Sequence, residues 1–359
     1  MMCEMKNTYQ IEPTLLVSKG VHPYPISEKC KEYGIECIVA RYYWFKGRRK
    51  SVKNILQLLL NFLIFYPFVI WRLRKRDFDI IHSNGSVIDI GMYINIVKKC
   101  KHVWHLREFG EKDFGVISML GEKYEKWVYG KGDAFIAISK CVKEEYEKTI
   151  PAEKIHLIYN GVLPPSPALG MAHVNSTLNF VLVGVIQPAK NQLEAVKALK
   201  IVLESGRKAY LNFVGTENAE YVKIVKRYVS DNGLTEYVTF WGGKKNVSEL
   251  LNKMDVGLML SQNEAFGRVT VEYMMHNLAV IASNTGANKE IIVDNNEEEN
   301  KYTLNFIKQL KGIRQNLLSE TPIQHKFSGM SDFLEQIKFF ILAKEKYLVA
   351  NSKEIIERG

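Results

Sequence analysis

Two carboxylates, Glu264 and Glu272, stand eight positions apart around a glycine in the run Ser261-Gln-Asn-Glu264-Ala-Phe266-Gly267-Arg268-Val269-Thr-Val-Glu272. The apolar run 256–260 before them reads as a short buried strand, and 269–275 has helical spacing, so the segment is strand, loop, helix. Glu264 then lies in the loop, and Glu272 lies about one turn inside the helix. The backbone N–H groups of Phe266 to Val269 fall at the helix start, where the first turn leaves donors unbonded and the helix dipole favours an anion. An ionised carboxylate can accept two hydrogen bonds from adjacent hydroxyls. An anion cradle beside two such carboxylates suits a sugar nucleotide.

Holding such a loop in place is the work of parallel sheets, and the rest of the chain has their pattern. Strand-like runs at 14–17, 36–40, 79–83, 102–106, 134–138 and 155–159 alternate with helical ones. After Asn160-Gly161 comes a stretch rich in Pro and small residues without apolar period, which reads as a linker over 164–177. A second series follows: a strand at 179–183, a helix at 192–205, a strand at 210–214, a helix at 219–232, a strand at 238–241, a helix at 247–254, and then the motif strand. The expected fold is α/β, with two doubly wound, Rossmann-like parallel-sheet domains facing a cleft. The expected boundaries are 1–163, the linker, 178–330, and a closing helix in 331–359 that crosses back to the first domain. The acidic stretch 294–300 reads as a loop, followed by helices at 302–316 and 331–350.

A chain of 359 residues accommodates two domains, and 47% hydrophobic with 25% charged residues is the composition of a soluble globular protein. The five cysteines (Cys3, Cys30, Cys37, Cys100 and Cys141) are odd in number and scattered, which fits a reducing cytoplasmic compartment and indicates neither a disulfide frame nor a zinc site. No signal-peptide pattern opens the chain. The net charge of +10 is uneven: residues 1–165 hold 26 Lys/Arg against 18 Asp/Glu, or +8, leaving +2 for the remainder. Basic clusters at 46–53 (Lys46, Arg48, Arg49, Lys50, Lys53) and 72–76 (Arg72, Arg74, Lys75, Arg76) bracket the most apolar run, 55–71. That run is short of the roughly 20 residues a spanning helix needs and contains Gln57, Asn61 and Pro67, so spanning is not expected. Two readings remain: a partly buried helix with solvated flanks, or one that also rests on an anionic membrane surface through 46–76. No nucleic-acid recognition module accompanies the charge.

Glu264 and Glu272, with Phe-Gly-Arg-Val-Thr-Val-Glu between them, resemble the E-x7-E motif of retaining glycosyltransferases of the GT-B fold, group 1 (family 4). The continuation Ala279-Val-Ile-Ala-Ser283-Asn-Thr-Gly286-Ala-Asn-Lys-Glu290 is similar to the same family. The resemblance implies transfer of a sugar from a UDP- or GDP-sugar to a growing, lipid-linked glycan in cell-surface polysaccharide synthesis, with retention. It implies no cofactor beyond that donor substrate, and no Asp-x-Asp at a strand end calls for a metal. Glu272 would bind the ribose hydroxyls and Glu264 those of the transferred sugar. Lys190, in Val183-Gly184-Val-Ile-Gln-Pro-Ala-Lys190, would meet the diphosphate, joined by Arg268 and the backbone of Gly184, Phe266, Gly267 and Val269. His105, last in the strand His102-Val-Trp-His105, matches the family's active-site histidine, with Arg107, Glu108, His82 and Asn84 near the same sheet edge. Ser139 matches a family position or serves as a helix cap.

Two departures accompany the resemblance. Val185 stands where relatives carry an Arg for the diphosphate. The first strand, 14–17, resembles the family's second unit, as though an opening strand and glycine-rich loop were missing, which would leave a gap in the first sheet. These departures motivate a rival reading, a non-catalytic protein that binds nucleotide sugars or a partner. An epimerase on the same fold is the third reading.

Overall fold

A computed structural model describes residues 2–19, 24–162 and 177–292. They fall into two compact units, Met1–Ile158 and Tyr159–Gly359. All but the last residue of the expected linker, the 294–300 loop and both closing helices lie outside the described residues.

The first unit contains β1 Thr14–Ser18, β2 Glu36–Ala40, β3 Lys46–Gly47, β4 Ile80–Asn84, β5 Lys101–Leu106, β6 Ile117–Ser118, β7 Ala134–Ala137 and β8 Ile155–Leu157. β4, β5, β7 and β8 form one parallel sheet in that order, β1 and β2 form a separate parallel pair, and β3 pairs antiparallel with β6. Among the described residues β1–β2 is not hydrogen-bonded to the four-stranded sheet, and Ile80 at the start of β4 is 60% exposed. The pair β3–β6 escapes a sequence reading because two-residue strands have no period. It has a consequence for charge: Lys46, counted above with the basic flank, is turned inward. It pairs with Glu125 and lies 5.2 Å from the Tyr129 ring centroid. Lys46 is therefore removed from any anion-facing surface.

The apolar run lies in one continuous helical segment, Val52–Arg72, capped by Ser51, whose hydroxyl accepts from the Asn54 N–H. Leu58, Asn61, Tyr66 and Val69 are buried on one side, against a cluster that includes Ile38, Ala40, Tyr42, Ile90 and Ile94. Residues Asn61–Phe65 form a π turn. Pro67 gives its cause, since it offers no N–H and its ring would crowd the carbonyl four residues back in a regular helix. Asn61 fastens the turn to the domain: its side chain accepts from the Tyr43 N–H at 2.9 Å and donates to the Tyr43 carbonyl at 2.8 Å and the Tyr66 hydroxyl at 3.0 Å.

Behind that face sits Asp89, which is fully buried and accepts from the hydroxyls of Tyr66 and Tyr124. Loss of solvation pushes its pKa up to about 6, against the pull of the two tyrosines. A carboxyl raised in the folded state stabilises the fold fully below its unfolded range, near 4, and that contribution is lost as pH rises through about 6. The buried histidines His102 and His105, both lowered to about 4, act in the opposite sense. Comparison with Asp89→Asn isolates the carboxyl. The urea stability of wild type relative to the variant should fall by about 2–3 kcal/mol between pH 4 and 6.5 and stay level above that. A pH-independent difference would show that the Asp89 carboxyl titrates alike in the folded and unfolded chain.

The second unit holds β9 Leu178–Val183, β10 Ala209–Val214, β11 Val238–Phe240, β12 Val256–Met259 and β13 Ala279–Ala282, all parallel, in the order β11-β10-β9-β12-β13. Helices Gln192–Glu204 and Ala219–Asp231 pack Ala195, Val196, Leu199, Val222, Val225 and Val229 onto the sheet. Strand order reverses between β9 and β12, and in such a sheet the carboxyl ends of those two strands make the ligand crevice. The α/β architecture with Rossmann-like parallel sheets is the one expected from the alternation.

Candidate functional site

The crevice is built from the loop after β9, the loop after β12, the helix Arg268–Met275, and the turn after β13. From the first loop, Lys190 closes a short turn and Asn191 takes a left-handed conformation (φ 56°) that starts the next helix. The Asn191 amide donates to the Leu260 carbonyl at 2.8 Å, tying this loop to the end of β12. Lys190 Nζ reaches Glu264 Oε2 at 2.9 Å, so two residues 74 positions apart in sequence meet as an ion pair. Gly184 (φ 151°) ends β9 beneath the Lys190 stem, and its carbonyl oxygen lies 2.0 Å from where a Cβ on Gly215 would stand. Gly215 must therefore be glycine for the two strand ends to approach.

Glu264 is braced from behind. Its carbonyl accepts from the Ala287 N–H at 2.8 Å and lies 2.3 Å from a Cβ placed on Gly286 (φ 57°). Ser283 and Thr285 both donate to the Ser261 carbonyl, so the turn after β13 holds the motif loop at two places. Gly267 (φ 82°) caps the helix Arg268–Met275, and the first intrahelical bond runs from the Val271 N–H to the Gly267 carbonyl. The N–H groups of Arg268, Val269 and Thr270 thus have no carbonyl within the helix to donate to, as the sequence reading requires for an anion. Arg268 is exposed, Val269 packs partly into the core, and Phe266 is buried with its ring 6.4 Å from that of Tyr159.

Glu272 lies on the same helix, half-buried, and its carboxylate makes no hydrogen bond among the described residues. Burial raises its pKa, opposed by Arg268 and His276. A desolvated acceptor with its lone pairs unused is suited to a ligand hydroxyl. Val185, 43% exposed, adds an apolar side chain to the same loop as Lys190.

One residue that the sequence reading does not single out controls this helix. Tyr273 is fully buried, its hydroxyl accepts from the Val183 N–H at 2.7 Å, and its ring lies on β12, where a Cβ on Gly257 would come within 2.3 Å. The available signal is the glycine inside an apolar strand, which marks close approach of another group.

In the first unit, β5 runs one residue past His105 to Leu106, so His105 is next to last rather than last; it is 7% exposed, with neither ring nitrogen hydrogen-bonded among the described residues. Its ring centroid is 5.4 Å from that of His82. Burial first, then Arg107 and His82, lower its pKa to about 4, so at neutral pH the imidazole is uncharged, a donor at one nitrogen and an acceptor at the other. His102 is different: it meets Ser83 Oγ at 2.9 Å and its N–H donates to Asp133. Glu108 accepts from the N–H and hydroxyl of Ser86 and so holds the loop after β4. Ser139 caps its helix by accepting from the Val142 N–H at 3.2 Å.

A parallel sheet with a switch-point crevice in one unit, and a parallel sheet in the other, define a doubly wound α/β protein with two Rossmann-like units. The chain belongs to the GT-B glycosyltransferases: the model described as Glycosyltransferase Family 4 matches residues 22–164, and that described as Glycosyl transferases group 1 matches residues 173–327. It is 24% identical over 227 residues to an uncharacterized glycosyltransferase, MJ1178, of Methanocaldococcus jannaschii, covering 62% of this chain and 60% of that protein. It is 25% identical over 224 residues to the O-antigen biosynthesis glycosyltransferase WclY of Escherichia coli, covering 58% and 62%. The matches thus span about three-fifths of each relative's length. Anabaena Alr3699/HepE, solved in complex with UDP and glucose, shares the fold at TM-score 0.59 and 18% identity over 84% of this chain and 90% of that one.

Proposed function

We propose that this protein transfers a glycosyl group, with retention, from a UDP- or GDP-sugar to a growing glycan in cell-surface polysaccharide synthesis, in the cytoplasm. The observation that carries the reading is the meeting of Lys190 and Glu264 at 2.9 Å beside the open start of the helix that bears Glu272. Breaking the anomeric C–O bond leaves negative charge on the diphosphate and positive charge on the sugar ring, and both must be stabilised. Lys190, Arg268 and the helix-start N–H groups supply the first. Glu264, released from Lys190 as the diphosphate takes its place, accepts from hydroxyls of the transferred sugar, and Glu272 accepts from the ribose. The acceptor hydroxyl forms the new bond on the face the diphosphate leaves, and its proton passes to the departing phosphate oxygen. In the first unit, neutral His105 is the residue proposed to meet a sugar hydroxyl. The odd number and scattered spacing of the five cysteines support a reducing compartment.

The exposed Val185 favours a second reading, a protein that binds nucleotide sugars without turning them over. Incubation with a panel of nucleotide sugars and glycan acceptors, following nucleoside diphosphate release and binding in parallel, separates the two. Turnover supports transfer, whereas binding without turnover under every acceptor supports the second. If turnover occurs, Lys190→Met should lower kcat by about 10- to 100-fold, since Arg268 and the helix start remain to meet the phosphate. An unchanged kcat would remove Lys190 from the site.

A further inference from the structure

The helical segment Val52–Arg72 has a second face that the core does not use. Val52, Ile55, Leu56, Leu59, Leu63, Ile64, Phe68 and Trp71 are each 42–84% exposed. On a regular helix these positions would not share a face. At about 100° per residue, Ile64, Phe68 and Trp71 would stand roughly a right angle or more round the axis from the positions before them. The π turn at Asn61–Phe65 absorbs one extra residue and brings Ile64, Phe68 and Trp71 back in line with Val52, Ile55, Leu59 and Leu63. Its buried anchor, Asn61, fixes that phase from the opposite side through Tyr43 and Tyr66. The result is one straight apolar stripe about 30 Å long, lying outward from a helix whose other face is welded to the domain.

Charge says what the stripe faces. Arg48, Arg49, Lys50 and Lys53 are exposed at one end, and Arg72, Arg74 and Lys75 at the other. Among the described residues Arg48, Arg49, Lys50, Lys53 and Lys75 form no ion pair. Arg74 lies over the Trp71 ring at 4.2 Å, and Phe68 stacks on Trp71 with centroids 6.1 Å apart. Such an aromatic pair suits the boundary between acyl chains and headgroups. Length alone would let 21 residues cross a bilayer, but Leu58, Asn61, Tyr66 and Val69 are committed to the protein core, so the helix is built to lie flat.

We propose that the outward face of Val52–Arg72, with its basic ends, docks this protein in the plane of an anionic lipid surface. The inference does not depend on the donor-site reading, and its test can fail while that reading stands. The full chain is sedimented with large unilamellar vesicles of phosphatidylcholine containing 30 mol% phosphatidylglycerol, and with pure phosphatidylcholine vesicles. Binding to the first, weakened by salt and much weaker to the second, is expected. The exposed pair Leu63→Glu/Phe68→Glu should lower partitioning at least tenfold, and Arg48→Gln/Arg49→Gln/Lys50→Gln by roughly a hundredfold, at about one order of magnitude or a little less per charge. Melting curves and nucleotide binding should be unchanged in both, showing that the fold is intact. Failure of the wild-type chain to sediment with anionic vesicles at low salt would overturn the proposal. So would sedimentation that the Leu63/Phe68 variant leaves intact, or a wild-type dimer that this variant splits while no vesicle binding is seen.

Discussion

Replacing Glu272 with alanine should weaken UDP-sugar binding by about a hundredfold or more while leaving the melting temperature close to that of wild type. Each hydrogen bond to an ionised group is worth about 1.5–3 kcal/mol, and Glu272 is placed to accept two from adjacent ribose hydroxyls. The protein itself uses neither lone pair. Burial raises the Glu272 pKa, so the carboxylate is held at some cost to the fold, and removing it should not destabilise. The same shift sets a pH signature. Donor affinity should fall on acidification as Glu272 protonates, starting at higher pH than for an ordinary carboxylate. Glu272→Gln should bind weakly at neutral pH and lack that dependence. Isothermal titration with UDP and a UDP-sugar from pH 4.5 to 8 tests both. An Ala variant with wild-type affinity would mean that the ribose lies elsewhere.

Introducing one methyl group at Gly257 should destabilise the second unit by about 3 kcal/mol, at the upper end of what overpacking a core costs. The added Cβ would stand 2.3 and 2.4 Å from two Tyr273 ring carbons, and Tyr273 is fully buried with no room to retreat. If the ring is forced off β12, its hydroxyl leaves the Val183 N–H, adding the cost of an unsatisfied buried donor. The helix that carries Glu272 moves with it, so donor affinity should fall together with stability. Tyr273→Phe separates the contributions: it loses only the hydroxyl and should cost about 1–2 kcal/mol. Combining Gly257→Ala with Tyr273→Leu should recover part of the loss, because the two side chains compete for one volume. Urea denaturation of the four proteins measures this. A Gly257→Ala variant as stable as wild type would show that the ring has an alternative position.

Much of this molecule is legible in its residues. Strand and helix alternation announces parallel sheets because both periods are local properties of a buried-on-one-side chain. The strand-loop-helix reading of 256–275 matches β12 and the helix Arg268–Met275 to within a residue, since an apolar run, a positive-φ glycine and helical spacing are all encoded within twenty positions. Ser139 shows the same locality: its capping bond closes over three residues. Where interactions close over long separations, the residues are silent. Nothing near position 46 says that Lys46 points inward to Glu125, 79 positions away, and a count of basic residues placed it on the surface. The glycines at 215, 257 and 286 are visible as letters, but each is required by a group that arrives from a distant segment.

The Glu264–Glu272 spacing, the glycine between them and the helix-forming residues after it determine by themselves that a carboxylate-flanked turn opens a helix, because spacing and backbone preference act along the chain. Only the folded sheet decides that Lys190 closes on Glu264 and that Gly286 seats it. It likewise decides that Glu272 is left with its lone pairs unused, because strand order and close packing bring those groups together through space. The helix Val52–Arg72 divides the same way: its apolar run and basic ends can be read directly, whereas the direction each face points was settled by a π turn and one buried asparagine.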